Sequence, residues 1–336
     1  MKGRLLVVIL MIVIVIAGTA SWFILNRQDP PLEDLILSEP IHSIFYAPQY
    51  VALHKNFFTY EGLNIRLQVA QGADQGAAAL LSGSAQVALF GPEQAIYATD
   101  QGDPLLIAFA MLTERDGSFL VGRTAEPEFS WSSLAGKTIV GGRKGGMPEM
   151  VLEWILKENE VLPFQDVKII QDISLSATAQ AFREGTGDYA QLWEPSATIL
   201  EQAGAGQIVA SLGKESGTLP YTVFHATAEY VKDHPKTLQK FTNAIYRAQL
   251  WMKSHSAEEI AKAIAPSFPD ADITSIASVV QRYQKLVVWA DDPTLRPELF
   301  DHLQEIMTAA GELTTKVNYE TIVNTAFAEK TIKTIK

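Results

Sequence analysis

The sequence predicts an α/β protein of two lobes followed by a helical C-terminal region. Three observations predict it. Short apolar strands alternate with helices through short connections, and the alternation runs twice along the chain. After Thr227 the texture changes to long amphipathic helices. The composition suits two packed cores, with 47% hydrophobic and 19% charged residues in 336.

The chain opens on Lys2 and Arg4, then an uncharged run from Leu5 to Leu25, then Arg27. As a helix, that run spans about 30 Å, the thickness of a bilayer's hydrocarbon core. Two readings fit residues 1–28: a retained membrane anchor, or a signal peptide cleaved after Ala20. The length of the run and the apolar Trp22–Leu25 left behind by such a cut favour the anchor. Both readings put the body outside the cytoplasm, attached to the cell membrane or periplasmic. The stretch Asp29–Asp34 reads as a stiff linker.

The first lobe is expected over residues 35–118. Its strands start near Leu35 and cover Leu63–Val69, Val87–Phe90 and Leu105–Met111. Helices follow at Ala47–Phe57, Gly72–Leu81 and Pro92–Thr99. The second lobe is expected over residues 119–221. Its strands are Phe119–Val121, Thr138–Val140, Val167–Ile170, Tyr189–Trp193 and Gln207–Ser211. Between them lie a glycine turn, Gly141–Gly146, and helices at Pro148–Glu158, Ser176–Glu184 and Pro195–Ala203. Residues 222–336 return to the first lobe and add helices at Lys236–Ser254, Ala257–Ile264, Asp272–Tyr283 and Pro297–Ala310.

Several function classes fall away. A net charge of -11 disfavours nucleic acid, which needs clustered Lys and Arg. With no Cys, disulfides, a lipoprotein anchor, thiolate catalysis and Cys-ligated metal sites are excluded. Gly141–Met147 has neither Walker nor dinucleotide spacing, and no G-x-S-x-G or H-E-x-x-H occurs. His42 has no second ligand at metal spacing. No cofactor and no enzymatic activity are expected.

Four stretches, in order, carry a resemblance: YAPQYVALHKNFFTYEGLNIRL (Tyr46–Leu67), LLSGSAQVALFGPEQAI (Leu80–Ile96), LAGKTIVGGRKGG (Leu134–Gly146) and GDYAQLWEPSA (Gly187–Ala197). Together they resemble the NMT1/THI5-like branch of periplasmic solute-binding proteins, over about Leu35 to Leu313. The resemblance implies a type II periplasmic-binding-protein fold whose C-terminal helices pack on the first lobe. It also implies a small solute closed between the lobes, and ABC permease subunits as partners. Membrane contact would run through the N-terminal segment only.

In open α/β sheets, ligands sit beyond the C-terminal ends of strands, near helix N-termini. That rule selects four loops. The first holds Ser43, Phe45 and Tyr46, with His42 beside them; the second holds Phe90, Gly91 and Glu93. The third is the glycine turn with Gly142, Gly145 and Gly146, where Arg143 and Lys144 add charge and the backbone N–H groups suit an anion. The fourth holds Trp193 and Glu194, matching an aromatic–acid–proline junction of the resembled family. Tyr221 and Thr222 are expected where the chain crosses back. For each, packing is the alternative: Phe45 against its helix, Glu93 as a first-turn dipole partner, Glu194 as a helix cap. One acid per lobe, Glu93 and Glu194, with the aromatic residues, points to a planar nitrogen heterocycle such as a thiamine-pyrimidine precursor. A sulfonate- or nitrate-type anion, and an anchored ligand sensor, are the alternatives.

Overall fold

The computed structural model describes residues 31–100, 102 and 105–336. The segment 1–28, read above as anchor or signal peptide, lies outside them. Among the described residues no helix is long and apolar enough to cross a membrane.

Among the described residues ten strands form two five-stranded sheets. The first sheet has the order β2-β1-β3-β10-β4. It comprises β1 (Glu33–Glu39), β2 (Leu63–Val69), β3 (Val87–Phe90), β4 (Leu106–Thr113) and β10 (Thr222–Thr227). The second has the order β7-β6-β8-β5-β9. It comprises β5 (Phe119–Gly122), β6 (Thr138–Val140), β7 (Lys168–Ile170), β8 (Tyr189–Leu192) and β9 (Gln207–Ser211). β1 and β3 run parallel, as do β6 and β8, whereas β10 runs antiparallel to β3 and β4 and β5 antiparallel to β8 and β9. The inner strands β3, β5 and β8 are buried at every residue, because helices cover both faces. The edge strand β2 keeps only Leu63 fully buried.

Helices α1 (Ala47–His54), α2 (Ala73–Leu81) and α3 (Glu93–Asp100) belong to the first lobe. Helices α4 (Met147–Glu158) and α5 (Ser196–Gln202) belong to the second. Pro148 stands in the first turn of α4, where its missing N–H costs nothing. The fold is the two-lobed α/β architecture of type II binding proteins.

The C-terminal helices start with α6 (Pro235–Lys253), which lies over α1 and the first sheet. Its buried Leu238, Phe241, Ile245 and Met252 recur at helical spacing. The Phe241 ring meets Phe58 at 5.1 Å, Phe224 at 4.8 Å and Phe109 at 5.9 Å between centroids. Helix α7 (Ala257–Ile264) starts with a full capping box between Ser256 and Glu259. Helices α8 (Ile273–Leu286) and α9 (Pro297–Ala309) also reach the second lobe. α9 packs on α4, with Trp154 edge-on to His302 at 5.6 Å, and Lys157 Nζ donates to the Ala309 carbonyl at 2.5 Å.

Two segments join the lobes, 114–118 and 212–221. They hydrogen-bond to each other: Leu212 N–H donates to Ser118 O at 3.1 Å, and Leu219 N–H to Glu114 O at 3.0 Å. Glycine is required at both closest approaches. A Cβ on Gly213 would lie 2.0 Å from Asp116 O, and one on Gly117 would lie 2.2 Å from Phe45 Cδ2. Tyr283 of α8 ties the crossing down. Its hydroxyl donates to Gly117 O at 2.9 Å and accepts from Glu194 N–H at 3.1 Å. Trp289 Nε1 donates to Phe45 O at 2.8 Å.

Gly117→Ala and Gly213→Ala are expected to destabilise the protein by about 1–3 kcal/mol each, the usual cost of overpacking. Urea unfolding measures this directly. Wild-type midpoints for both variants would mean that the crossing has slack.

Candidate functional site

The C-terminal ends of strands from both sheets converge on one cavity of about 500 Å³. The first lobe supplies the turns after β1, β2 and β3. The second supplies the turns after β6, β7 and β8, with the crossing residues Tyr221 and Thr222 between them. The walls are mainly apolar and aromatic: Tyr46, Phe90, Met147, Leu175, Trp193 and Tyr221. Phe90 is fixed by a stacked His225, 4.1 Å away at 11°. Burial pushes His225 down to about 3, so it stays neutral and serves as a flat backing.

Glu93 opens α3 and is fully buried. It curls back over Gly91: a Cβ there would lie 2.1 Å from Glu93 Oε2. Burial lifts its carboxyl from the ordinary 4.5 to about 7, and the N–H groups of Glu93 itself and of Met147 pull partly the other way. Oε1 receives a long contact from Gln94 Nε2 at 3.4 Å, and among the described residues Oε2 has no partner in hydrogen-bond geometry. A buried carboxyl oxygen without a partner, lining a cavity, is a group awaiting a ligand or water.

The glycine turn behaves differently from the expected anion nest. Gly145 N–H donates to Glu149 Oε2 at 3.2 Å, and Gln171 Nε2 holds the other Glu149 oxygen at 2.6 Å. Gly146 N–H is taken by the Arg143 carbonyl at 3.0 Å. A carboxyl and a backbone carbonyl of the chain itself therefore occupy these two donors. Burial, and then the neighbouring Glu153 carboxyl, lift Glu149 to about 8. Arg143 and Lys144 line the rim, and Arg143 Nη1 faces Asp74 Oδ1 at 3.5 Å.

Eleven of the residues selected from the sequence line this cavity: Tyr46, Phe90, Gly91, Glu93, Arg143, Lys144, Gly145, Gly146, Trp193, Tyr221 and Thr222. Four others lie behind its walls. Ser43 donates to Glu194 O at 2.6 Å and caps the short 3-10 turn Ile44–Tyr46. Phe45 sits beneath the floor, its ring 5.4 Å from Tyr46 and 5.7 Å from Tyr221, and so backs two wall residues. Gly142 packs on the start of α4, where a Cβ would lie 2.9 Å from Pro148 Cβ. Glu194 turns away because the start of α5 captures it. Its carboxylate accepts from Thr198 N–H at 3.0 Å and from Thr198 Oγ1 at 3.0 Å, and pairs with Arg282 at 2.5 Å. The helix-capping alternative describes its placement. His42 also lies outside the cavity, bonded to Glu39 at 2.8 Å and to Ser267 O at 2.7 Å.

The sequence reading missed Tyr97, Gln71, Asp74, Leu175 and Glu312, which also line the cavity. Tyr97 stands one turn after Glu93 on α3, and that i, i+4 spacing could have found it. Glu312 lies just past the end of α9, and no local signal could have placed it at the mouth.

The pattern of the family described as NMT1/THI5 like matches residues 44–259. A relative from Bacillus subtilis (strain 168), YtlA, described as a binding protein, is 44% identical over 306 residues, covering 90% of this chain and 91% of its own. Two solved structures share the fold. The alkanesulfonate-binding protein SsuA of Xanthomonas axonopodis pv. citri, bound to MOPS, superposes with a TM-score of 0.72 at 16% identity, covering 88% of this chain and 100% of its own. The nitrate-binding protein NrtA of Synechocystis PCC 6803 superposes with a TM-score of 0.70 at 14% identity, covering 92% of this chain and 90% of its own. The family match, the two-lobed fold and the cavity between the lobes lead to one identification: the chain belongs to the NMT1/THI5-like family and is an extracytoplasmic solute-binding protein of the ABC-importer type.

Proposed function

We propose that the solute is a small, flat organic molecule with one polar group, its body held between aromatic walls and its polar group on Glu93. The observation that carries this is the unpartnered, buried Glu93 Oε2 on a cavity lined by Tyr46, Phe90, Trp193 and Tyr221. Closing two lobes around such a body removes its faces from water, and an aromatic wall adds stacking to that burial. The closed form is then the state offered to the permease.

Two classes of polar group suit the site. The first is an N–H or amino group of a nitrogen heterocycle, such as a thiamine-pyrimidine precursor. It would donate to the Glu93 carboxylate, and Asp74 and Glu312, which line the same cavity, favour a donor over an anion. The second is an anion of the sulfonate or nitrate type. Solved proteins of the same fold are named for such ligands, and Arg143 and Lys144 line the same cavity. For that class Glu93 must be protonated and donate.

The protonation of Glu93 separates the two classes. A donor solute needs the carboxylate, so its affinity rises as pH climbs through about 7. An anion needs the acid form, so its affinity falls over the same interval. Calorimetric titration with pyrimidines, alkyl and aryl sulfonates and nitrate between pH 6 and 8 reads the sign. Trp193→Ala is expected to weaken a heterocycle by about tenfold or more through lost stacking and burial. Binding unaffected by that change would remove Trp193 from the site.

Stability of the solute-free protein follows from the same group. The folded value of Glu93 lies above its unfolded value, so its proton stabilises the fold below about pH 4.5, and the benefit is lost as pH rises through about 7. Glu93→Gln removes that loss. Relative to wild type it is expected to gain on the order of 3 kcal/mol between pH 4.5 and pH 8. Urea unfolding at both pH values checks this, and equal differences at the two would contradict it.

A further inference from the structure

Among the described residues four polar contacts cross between the lobes at the mouth of the cavity. Asp74 and Arg143 approach at 3.5 Å, but their side chains are 54% and 45% exposed, so water and salt weaken the pair. Ser176 Oγ reaches Gln71 Oε1 at 3.4 Å, also in the open. The other two share the better shielded Tyr97 hydroxyl of α3, which donates to the Gly145 carbonyl at 2.9 Å and lies 3.5 Å from Met150 Sδ of α4.

The Gly145 peptide is built to receive it. Its backbone holds φ at +70°, a region that favours glycine. The Gly146 N–H closes the turn on Arg143 O at 3.0 Å. The Gly145 N–H is tied to Glu149 in the first turn of α4, and Gln171 holds Glu149 from the other side. One residue is therefore gripped by its N–H within the second lobe and by its C=O from the first. The phenol is kept protonated, and so a donor. Burial raises its pKa, and the neighbouring Glu93, Glu312 and Glu149 raise it further.

We propose that Tyr97 is the positioning residue that latches the lobes shut over the solute, through the carbonyl of Gly145, a residue that Glu149 holds in place by its N–H. The inference rests on the solute-capture reading above and adds a specific residue to it. The latch belongs to the closed state alone. The hinge bonds lie within and beside the crossing segments, whereas the Tyr97 bond spans lobes that must part at the mouth for solute to enter. Losing it shifts the balance between closed and open forms and leaves the aromatic walls intact.

The chain has no Cys, so two introduced thiols are labelled cleanly. Ser82→Cys at the far end of α2 and Glu184→Cys on the second lobe are both exposed and outside the site. Pulsed electron-spin distances between the two labels are measured with no solute added. Wild type is expected to show a dominant short distance. Tyr97→Phe should add a longer one, lowering the closed-to-open ratio by about two- to tenfold, the size of one net hydrogen bond. Glu149→Ala should open the lobes in the same way, whereas Glu149→Gln, which keeps an acceptor for the Gly145 N–H, should stay near wild type. Superimposable distributions for wild type and Tyr97→Phe would overturn the latch. So would a Glu149→Gln variant as open as Glu149→Ala. A solute screen without a hit would count against the capture reading and leave these distances as they are, so the two failures are told apart.

Discussion

The contact of the two crossing segments is the constraint on which the rest depends. Asp116 O touches Gly213 and the Phe45 ring touches Gly117 at distances that leave no room for a side chain. This close approach puts one buried cluster under the cavity. Phe45 lies 5.6 Å from Tyr283 and 5.7 Å from Tyr221, and the Tyr283 hydroxyl bonds to Gly117 O and to Glu194 N–H. The floor of the site and the axis of lobe movement are thus one packed unit. A rotation there moves the rims by a larger amount, which suits a clamp.

Charge is distributed around the cavity with a consistent logic. Glu194 faces away from it and is neutralised by Arg282 and Thr198. Glu149 faces the glycine turn and takes its donor. Glu93 alone of these three acids is left with a buried oxygen that lacks a protein partner. Desolvation makes such a group costly, and a ligand bond offsets that cost. Asp116 repeats the theme at the hinge. Burial pushes it to about 7 while Ser118 N–H holds one oxygen at 2.6 Å. The Tyr221 hydroxyl lies beside it without reaching hydrogen-bond geometry. Buried carboxyls thus stand at the wall of the cavity, in Glu93, and in the hinge beneath it, in Asp116.

The C-terminal region does more than cover the first lobe. α6 supplies that cover through Phe241 and its aromatic neighbours. α8 reaches the hinge through Arg282 and Tyr283, and α9 reaches α4 through His302 and the Ala309 carbonyl. Glu312 then appears at the cavity mouth. The tail therefore touches the first lobe, the hinge and the second lobe in turn, so lobe movement must be accommodated along it.

The two-lobe plan, the family and four of the six turns that line the cavity were legible in the sequence. They rest on local signals: period-two and period-3.6 patterns, glycine and proline punctuation, and the rule that ligands gather at strand ends. Tyr46, Phe90, Glu93 and Trp193 were reachable that way because a residue at a strand's end has few places to point. The direction of each side chain was a tertiary decision. Glu194 sits as close to a strand end as Trp193, yet Thr198 and Arg282, the latter 88 residues away, draw it out of the cavity. Glu149 fills a nest that its own glycines only outline. Glu312 and Tyr283 arrive from a region that local patterns describe only as helical. Local periodicity encodes which face of an element is buried; only packing between distant segments determines which partner each buried polar group finds.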